Sequence, residues 1–129
     1  ETESDKLELI NADIVGFRLH RQFDLVLATG VIQCIERRFI TDIYKNVFNM
    51  TKAGAHFIAH IHCGLEQDVI VDRFSEELNT DYYAEYRKHE WEKQQMLEAG
   101  FRSVEIHDIF PDWLNKWPNT RHFLFVCKK

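Results

Sequence analysis

The chain has 129 residues, with 45% hydrophobic and 29% charged side chains. That is the size and make-up of one globular domain, and it excludes collagen-like and Pro/Gly-rich disordered chains. No apolar run approaches the ~20 residues that span a bilayer. A net charge of -5 argues against nucleic acid as the main partner, and Arg37-Arg38, Arg87-Lys88 and Lys128-Lys129 are too short to reverse that.

Three cysteines, Cys34, Cys63 and Cys127, are odd in number and widely spaced. Neither a disulfide framework nor a four-cysteine zinc site fits them, which points to a reducing, cytoplasmic compartment. No signal-peptide pattern opens the chain. It begins Glu1-Thr2-Glu3 without an initiator Met, as expected of a piece of a longer product.

Residues 1–5 are polar and read as a frayed end. Lys6 to Ile14 reads as a first strand, with Leu7, Leu9 and Ile14 apolar. Phe23 to Ala28 is nearly continuously apolar, the signature of a strand covered on both faces of a parallel sheet, and Thr29-Gly30 ends it. Arg38 to Met50 predicts a helix with Phe39, Ile40, Ile43, Val47 and Met50 on one face, and Gly54 as its left-handed cap. His56 to His62 predicts a strand. Residues 64–84 have no clean period.

Tyr86 to Ala99 predicts a helix closed by Gly100-Phe101. Arg102 to Ile109 predicts a strand and Phe110 to Thr120 a loop. Arg121 to Lys128 predicts a last strand with Phe123, Phe125 and Cys127 on one face. Strands alternating with helices predict an α/β parallel sheet. The last two strands, with no helix between them, predict an antiparallel edge.

Phe23-Asp24-Leu25-Val26-Leu27-Ala28-Thr29-Gly30-Val31-Ile32 resembles the fourth-strand motif of class I S-adenosylmethionine-dependent methyltransferases. Thr51-Lys52-Ala53-Gly54-Ala55 resembles that family's turn before strand five. Gln95 to Phe101 resembles its junction of helix, Ala-Gly-Phe and strand six, and Arg121 to Lys128 its antiparallel strand seven. The resemblance covers residues 6–63 and 90–128. It implies a Rossmann-like methyltransferase sheet with an antiparallel last strand. It also implies S-adenosylmethionine as cofactor and methyl transfer to an oxygen or nitrogen of a small-molecule acceptor.

By that resemblance residues 7–14 form strand three, where Asp13 and Ile14 meet the adenine. Thr29, Gly30 and Val31 line the cleft. The family's glycine-rich loop and the acidic residue of strand two have no counterpart, since no Gly-x-Gly occurs. Gln33-Cys34 also stands where the family often has Glu-His.

The family's sheet order is 3-2-1-4-5-7-6, so strand four would be left an exposed apolar edge. The expectation is therefore an incomplete sheet, residues 1–129 being the C-terminal part of a methyltransferase-like domain. An upstream half, a partner chain or a strand swap would complete it.

His60 and His62 fall near the end of the predicted fifth strand, where open α/β sheets bind ligands. Either could take a proton from an acceptor. His56, His60, His62 and Cys63 also raise a metal-binding module, but His-x-His on one strand supplies only two ligands on a face. Residues 64–91 fall where the family inserts variable elements over the acceptor. There Phe74, Tyr82, Tyr83, Tyr86 and Trp91 could line a pocket for a flat molecule, or simply pack a helix. Trp113 and Trp117 could cover a sheet edge or mark an interface. The competing reading is a methyltransferase-like subunit without catalysis, acting as a scaffold for a partner protein.

Overall fold

The computed structural model describes residues 6–129; the expectation for residues 1–5 lies outside them. Eight main elements follow in chain order: β1 (Phe23–Thr29), α1 (Arg37–Met50), β2 (Thr51–Gly64), β3 (Val69–Ser75), β4 (Thr80–Tyr86), α2 (His89–Ala99), β5 (Ser103–Asp108) and β6 (Thr120–Lys128). Short 3-10 turns at Ile32–Cys34 and Asp112–Leu114 join some of them.

Four strands make the main sheet, in the order β1-β2-β6-β5. β1 and β2 are parallel, while β6 is antiparallel to both β2 and β5. This is the expected sheet with one reversed strand, and it is partial. β3 and β4 form a separate two-stranded hairpin.

Alternation sorts the strands into two faces. Phe57, Ala59, Ile61 and Cys63 of β2 join Phe123, Phe125 and Cys127 of β6 beneath the helices. Ile40, Ile43, Tyr44 and Val47 of α1 and Met96 of α2 complete that core. The Ile, Val, Phe and Met side chains among them contribute about 1.5–3 kcal/mol each when fully buried. Phe57 stacks on Phe101 at 5.8 Å, and Phe48 meets Phe101 edge-on at 5.2 Å. The opposite sheet face carries Leu25, Leu27, Ile58, His60, His62, His122 and Leu124, and among the described residues neither α1 nor α2 packs on it.

The structure differs from the sequence reading in four places. No strand forms at residues 7–14. A strand needs a neighbour to pair its backbone groups, and β1, the open edge, is not that neighbour. Instead Ile14 and Phe17 turn onto the flank of β1, beside Val26, Ala28 and Val47. Gly54 is not the cap of α1, which ends at Met50 with Thr51 as its last flanking residue. Gly54 has φ +78 within β2, and the pairing of β1 with β2 jumps between Phe23↔Thr51 and Leu25↔His56. The turn expected before the strand is thus absorbed as a bulge. The unreadable stretch after residue 64 is the β3–β4 hairpin. Finally, α2 starts at His89 rather than Tyr86, because Tyr86 still pairs with Val69 across the hairpin.

Gly64 shows why the chain turns where it does. A Cβ there would lie 2.1 Å from the carbonyl oxygen of Gln67 and 2.7 Å from that of Tyr86. Only glycine fits where the end of β2 and the end of β4 meet.

Candidate functional site

The ends of β1 and β2 define the site. Thr29 pairs with His60, and the Gly30 N–H donates to the His60 carbonyl at 3.1 Å. Gly30 adopts φ +68, which turns the chain sharply out of β1 into Val31 and the 32–34 turn. Thr29, Gly30 and Val31 are thereby exposed at the sheet's C-terminal edge, beside His60.

A buried arginine anchors that turn. Arg87 is wholly enclosed and donates from Nη2 to the Ile32 carbonyl at 2.8 Å and from Nη1 to the Ile35 carbonyl at 2.7 Å. Its Nε meets Glu92 Oε1 at 2.7 Å and its Nη1 meets Glu85 Oε2 at 2.9 Å. The Tyr44 hydroxyl donates to the other oxygen of Glu92. Burial pushes the Glu92 carboxyl up and Arg87 pulls it back down; the balance stays above the ordinary value. Burial, the Glu92 charge and its hydrogen bond raise the Tyr44 hydroxyl. One guanidinium therefore ties together the turn after β1, the end of β4 and the first turn of α2. The sequence reading passed over Arg87 as half of a basic dipeptide; its only local signal was Glu92 five residues on.

The histidines stand together on the uncovered sheet face. His60 and His62 come from β2 and His122 from β6, which pairs His62 with His122. His60 Nε2 and His122 Nδ1 are 3.0 Å apart. The His62 ring stacks between His122 (centroids 4.0 Å, 20°) and Tyr86 (4.0 Å, 27°). Phe110 closes the cluster, 5.6 Å from His60 and 5.1 Å from His122.

Burial, then the neighbouring His122 and His60, lower the His62 pKa to about 4. Burial lowers His60, and burial with His60 lowers His122. All three rings are neutral at physiological pH. His62 is only 8% exposed, so His60 is the better placed to meet a ligand. The sequence pattern contained His122: once Phe123, Phe125 and Cys127 face the core, residue 122 faces the other way. Its register against His62 was not legible.

The hairpin lies over this end of the sheet, with β4 packed on the 32–34 turn. Val69, Val71, Arg73, Tyr82 and Tyr86 share the hairpin face that looks toward Trp117 and Pro118 across a groove of about 480 Å³. Tyr82 and Tyr86 therefore line one cavity together. Tyr83 does not. It points to the other hairpin face, where its hydroxyl donates to Glu85. Burial, Tyr86 and Cys34 raise the Tyr82 hydroxyl. Phe74 lines the neighbouring groove near Glu76 and Glu77. Trp91 packs a helix, with the Arg37 guanidinium 4.4 Å above its ring.

Asp13 and Ile14 sit apart from this groove. Asp13 Oδ1 accepts the Val15 N–H at 2.9 Å in a local turn, and Ile14 enters the apolar slot between β1 and α1. Ile14 and Ile32 line the same slot, so its far wall is the turn that follows Gly30.

The metal reading loses its third ligand. Cys63 is buried on the helical side, opposite His60 and His62, and burial raises its thiol far above the ordinary range. Among the described residues no group of three or more His, Cys, Asp or Glu side chains is placed to hold a metal ion.

No protein-family model matches the sequence, and no curated protein is similar to it. Solved structures are similar in fold. A complex of DhpI with SAM and HEP superposes with a TM-score of 0.73 at 13% identity, over 97% of this chain and 59% of that one. The glycopeptide N-methyltransferase MtfA bound to S-adenosyl-L-homocysteine gives 0.71 at 13%, over 96% and 62%. An S-adenosylmethionine-dependent methyltransferase from Mesorhizobium loti gives 0.65 at 12%, over 92% and 68%. The chain spans about three-fifths to two-thirds of these solved chains. With its sheet order and reversed β6, it has the fold of part of a class I S-adenosylmethionine-dependent methyltransferase.

Proposed function

We propose that the chain forms the acceptor side of a methyltransferase that uses S-adenosylmethionine. The observation that carries this reading is the juxtaposition at one sheet edge. Thr29, Gly30 and His60 meet at the ends of β1 and β2, and the stack His122–His62–Tyr86 leads from them to the aromatic groove.

The residues fit the cofactor in part. Thr29, Gly30 and Val31 supply one wall of a cleft, and Ile14 an apolar contact near it. The described residues hold no glycine-rich cradle and no carboxylate for the ribose, so groups outside this set must supply both. When bound, the cofactor brings a methyl group already activated by a positive sulfur. The protein's share is then alignment, worth up to about 7–11 kcal/mol, and removal of a proton where the acceptor carries one. His60 is the base of choice, because His62 is sealed between two rings.

The acceptor is a small molecule with a flat ring, seated between Tyr82, Tyr86 and Trp117, and methylated on oxygen or nitrogen. The region 64–91 serves as the acceptor-side insertion. A further unit, upstream residues or a partner chain, covers the β1 edge, where Leu25 and Leu27 are 49% and 61% exposed. The three cysteines are free, in keeping with a reducing cytoplasm.

The competing scaffold role draws on the missing Gly-x-Gly and the same open face. Titration calorimetry with S-adenosylmethionine and its demethylated product separates the two. The titration uses this chain and, if its gene encodes more, the full-length product. Binding that Val31→Glu weakens at least tenfold supports the methyltransferase reading. No binding by either protein overturns it in favour of the scaffold.

A further inference from the structure

The reading above uses His122 only as a ring in the stack, yet it is the partner of the candidate base. Its Nδ1 lies 3.0 Å from His60 Nε2, and it is the sole hydrogen-bond partner of the His60 ring among the described residues. His122 is itself held from three sides. Its ring stacks on His62 and meets Phe110, and its backbone N–H donates to Asn115 Oδ1 at 3.2 Å. Asn115 is in turn fixed by donating from Nδ2 to the carbonyls of Phe110 and Pro111, at 3.3 Å each.

A neutral imidazole carries a single N–H, so across this contact one ring donates and the other accepts. If His122 donated from Nδ1, His60 would carry its own proton on Nδ1 and expose no lone pair. If His60 donates from Nε2, its Nδ1 is bare. The second arrangement keeps both rings in the Nε2–H form, the lower-energy tautomer of a free histidine side chain. His60 Nδ1 has no hydrogen-bond partner within the described residues and is not sealed from solvent. No acceptor there holds a proton on it, and a ligand can reach it. No carboxylate pairs with either ring among the described residues, so the imidazole of His122 alone sets the tautomer.

We propose that His122 is a positioning residue whose Nδ1 accepts the Nε2–H of His60 and so leaves His60 Nδ1 as the proton acceptor for a ligand beside Thr29 and Gly30. The proposal rests on the reading of His60 as base. In the step it serves, the acceptor's O–H or N–H bond breaks as the N–H bond at His60 Nδ1 forms, and the electron pair stays on the acceptor atom. The positive charge gained by His60 strengthens its hydrogen bond to His122. No electron transfer is involved.

Long-range ¹H–¹⁵N correlation spectra of the histidine rings read this directly, with neither cofactor nor acceptor present. At about pH 7.5 both rings are neutral, because burial lowers their pKa values. The expected pattern is a protonated Nε2 and a bare Nδ1 on both His60 and His122. His122→Asn, whose amide oxygen falls close to the Nδ1 position, keeps that pattern on His60. His122→Leu, of similar size but without an acceptor, brings the Nδ1–H form of His60 up to a resolvable population.

A proton on His60 Nδ1 in the wild-type chain overturns the proposal, and so does a His60 tautomer unchanged in the Leu variant. Should the Leu variant fail to fold, His122→Phe, which keeps a ring on His62 but offers no acceptor, takes its place, and an unchanged His60 tautomer there overturns the proposal equally. A negative result here leaves the cofactor titration untouched, so the two readings fail separately.

Discussion

The histidine stack makes stability depend on pH, and His62 carries the largest part. Its pKa is about 4 in the folded protein against 6.5 for an ordinary histidine. The folded state therefore binds the proton less well than the unfolded chain does. That contribution is fully present above the unfolded value and is lost as pH falls from about 6.5 toward 4. Going from about pH 7.5 to about pH 5, the linkage costs about 2 kcal/mol, or 1–2 kcal/mol once water at the ring edge is allowed for. With a urea slope of about 1–3 kcal/mol per molar for a chain this size, the unfolding midpoint falls by about 1 M. His60 and His122 push the same way. Urea titrations followed by tryptophan fluorescence at several pH values measure it. His62→Phe keeps a ring between Tyr86 and His122 and removes the titration, so most of the pH dependence should go with it. An equal acid-induced loss in the Phe variant, or a wild-type midpoint that does not move, refutes the reasoning.

Arg87→Met leaves Glu92 buried without its partner and frees the carbonyls of Ile32 and Ile35; it should cost about 3–5 kcal/mol in urea unfolding. Arg87→Met with Glu92→Leu removes both charges and should recover part of that loss. Gly100→Ala places a Cβ 2.8 Å from the Phe48 ring at φ +124 and should destabilise by about 1–3 kcal/mol, read as a lower thermal midpoint. Leu27→Lys puts a charge on the open face of edge strand β1. It should reduce self-association in sedimentation velocity without lowering the unfolding midpoint of the monomer.

Much of the fold was legible from local pattern. The apolar run 23–28, the 3.6-residue stripe of α1 and the alternation of β6 each report a burial pattern that a short segment sets for itself. The hairpin was not legible. Its strands bury little: β3 shows Ile70 and Phe74 largely exposed, so neither has a strong period. Tyr82 and Tyr86 share the groove and Tyr83 does not, a consequence of two-residue alternation that needed only the knowledge that a strand was there.

Local pattern and element order carried the α/β class, the reversed last strand, the approximate positions of β1, α1, β2, α2, β5 and β6, and the placing of Thr29–Gly30 at a strand end. All but the reversal follow from composition and periodicity within windows of a few residues; the reversal follows from the lack of a helix between the last two strands. The folded arrangement was needed to show that residues 7–14 form no strand, that Arg87 binds the turn after β1, and that His122 meets His60. Each of these depends on a partner far away in the chain. Whether a strand forms, an arginine is neutralised or an imidazole accepts a proton is set by the group opposite, and register is what brings that group into reach.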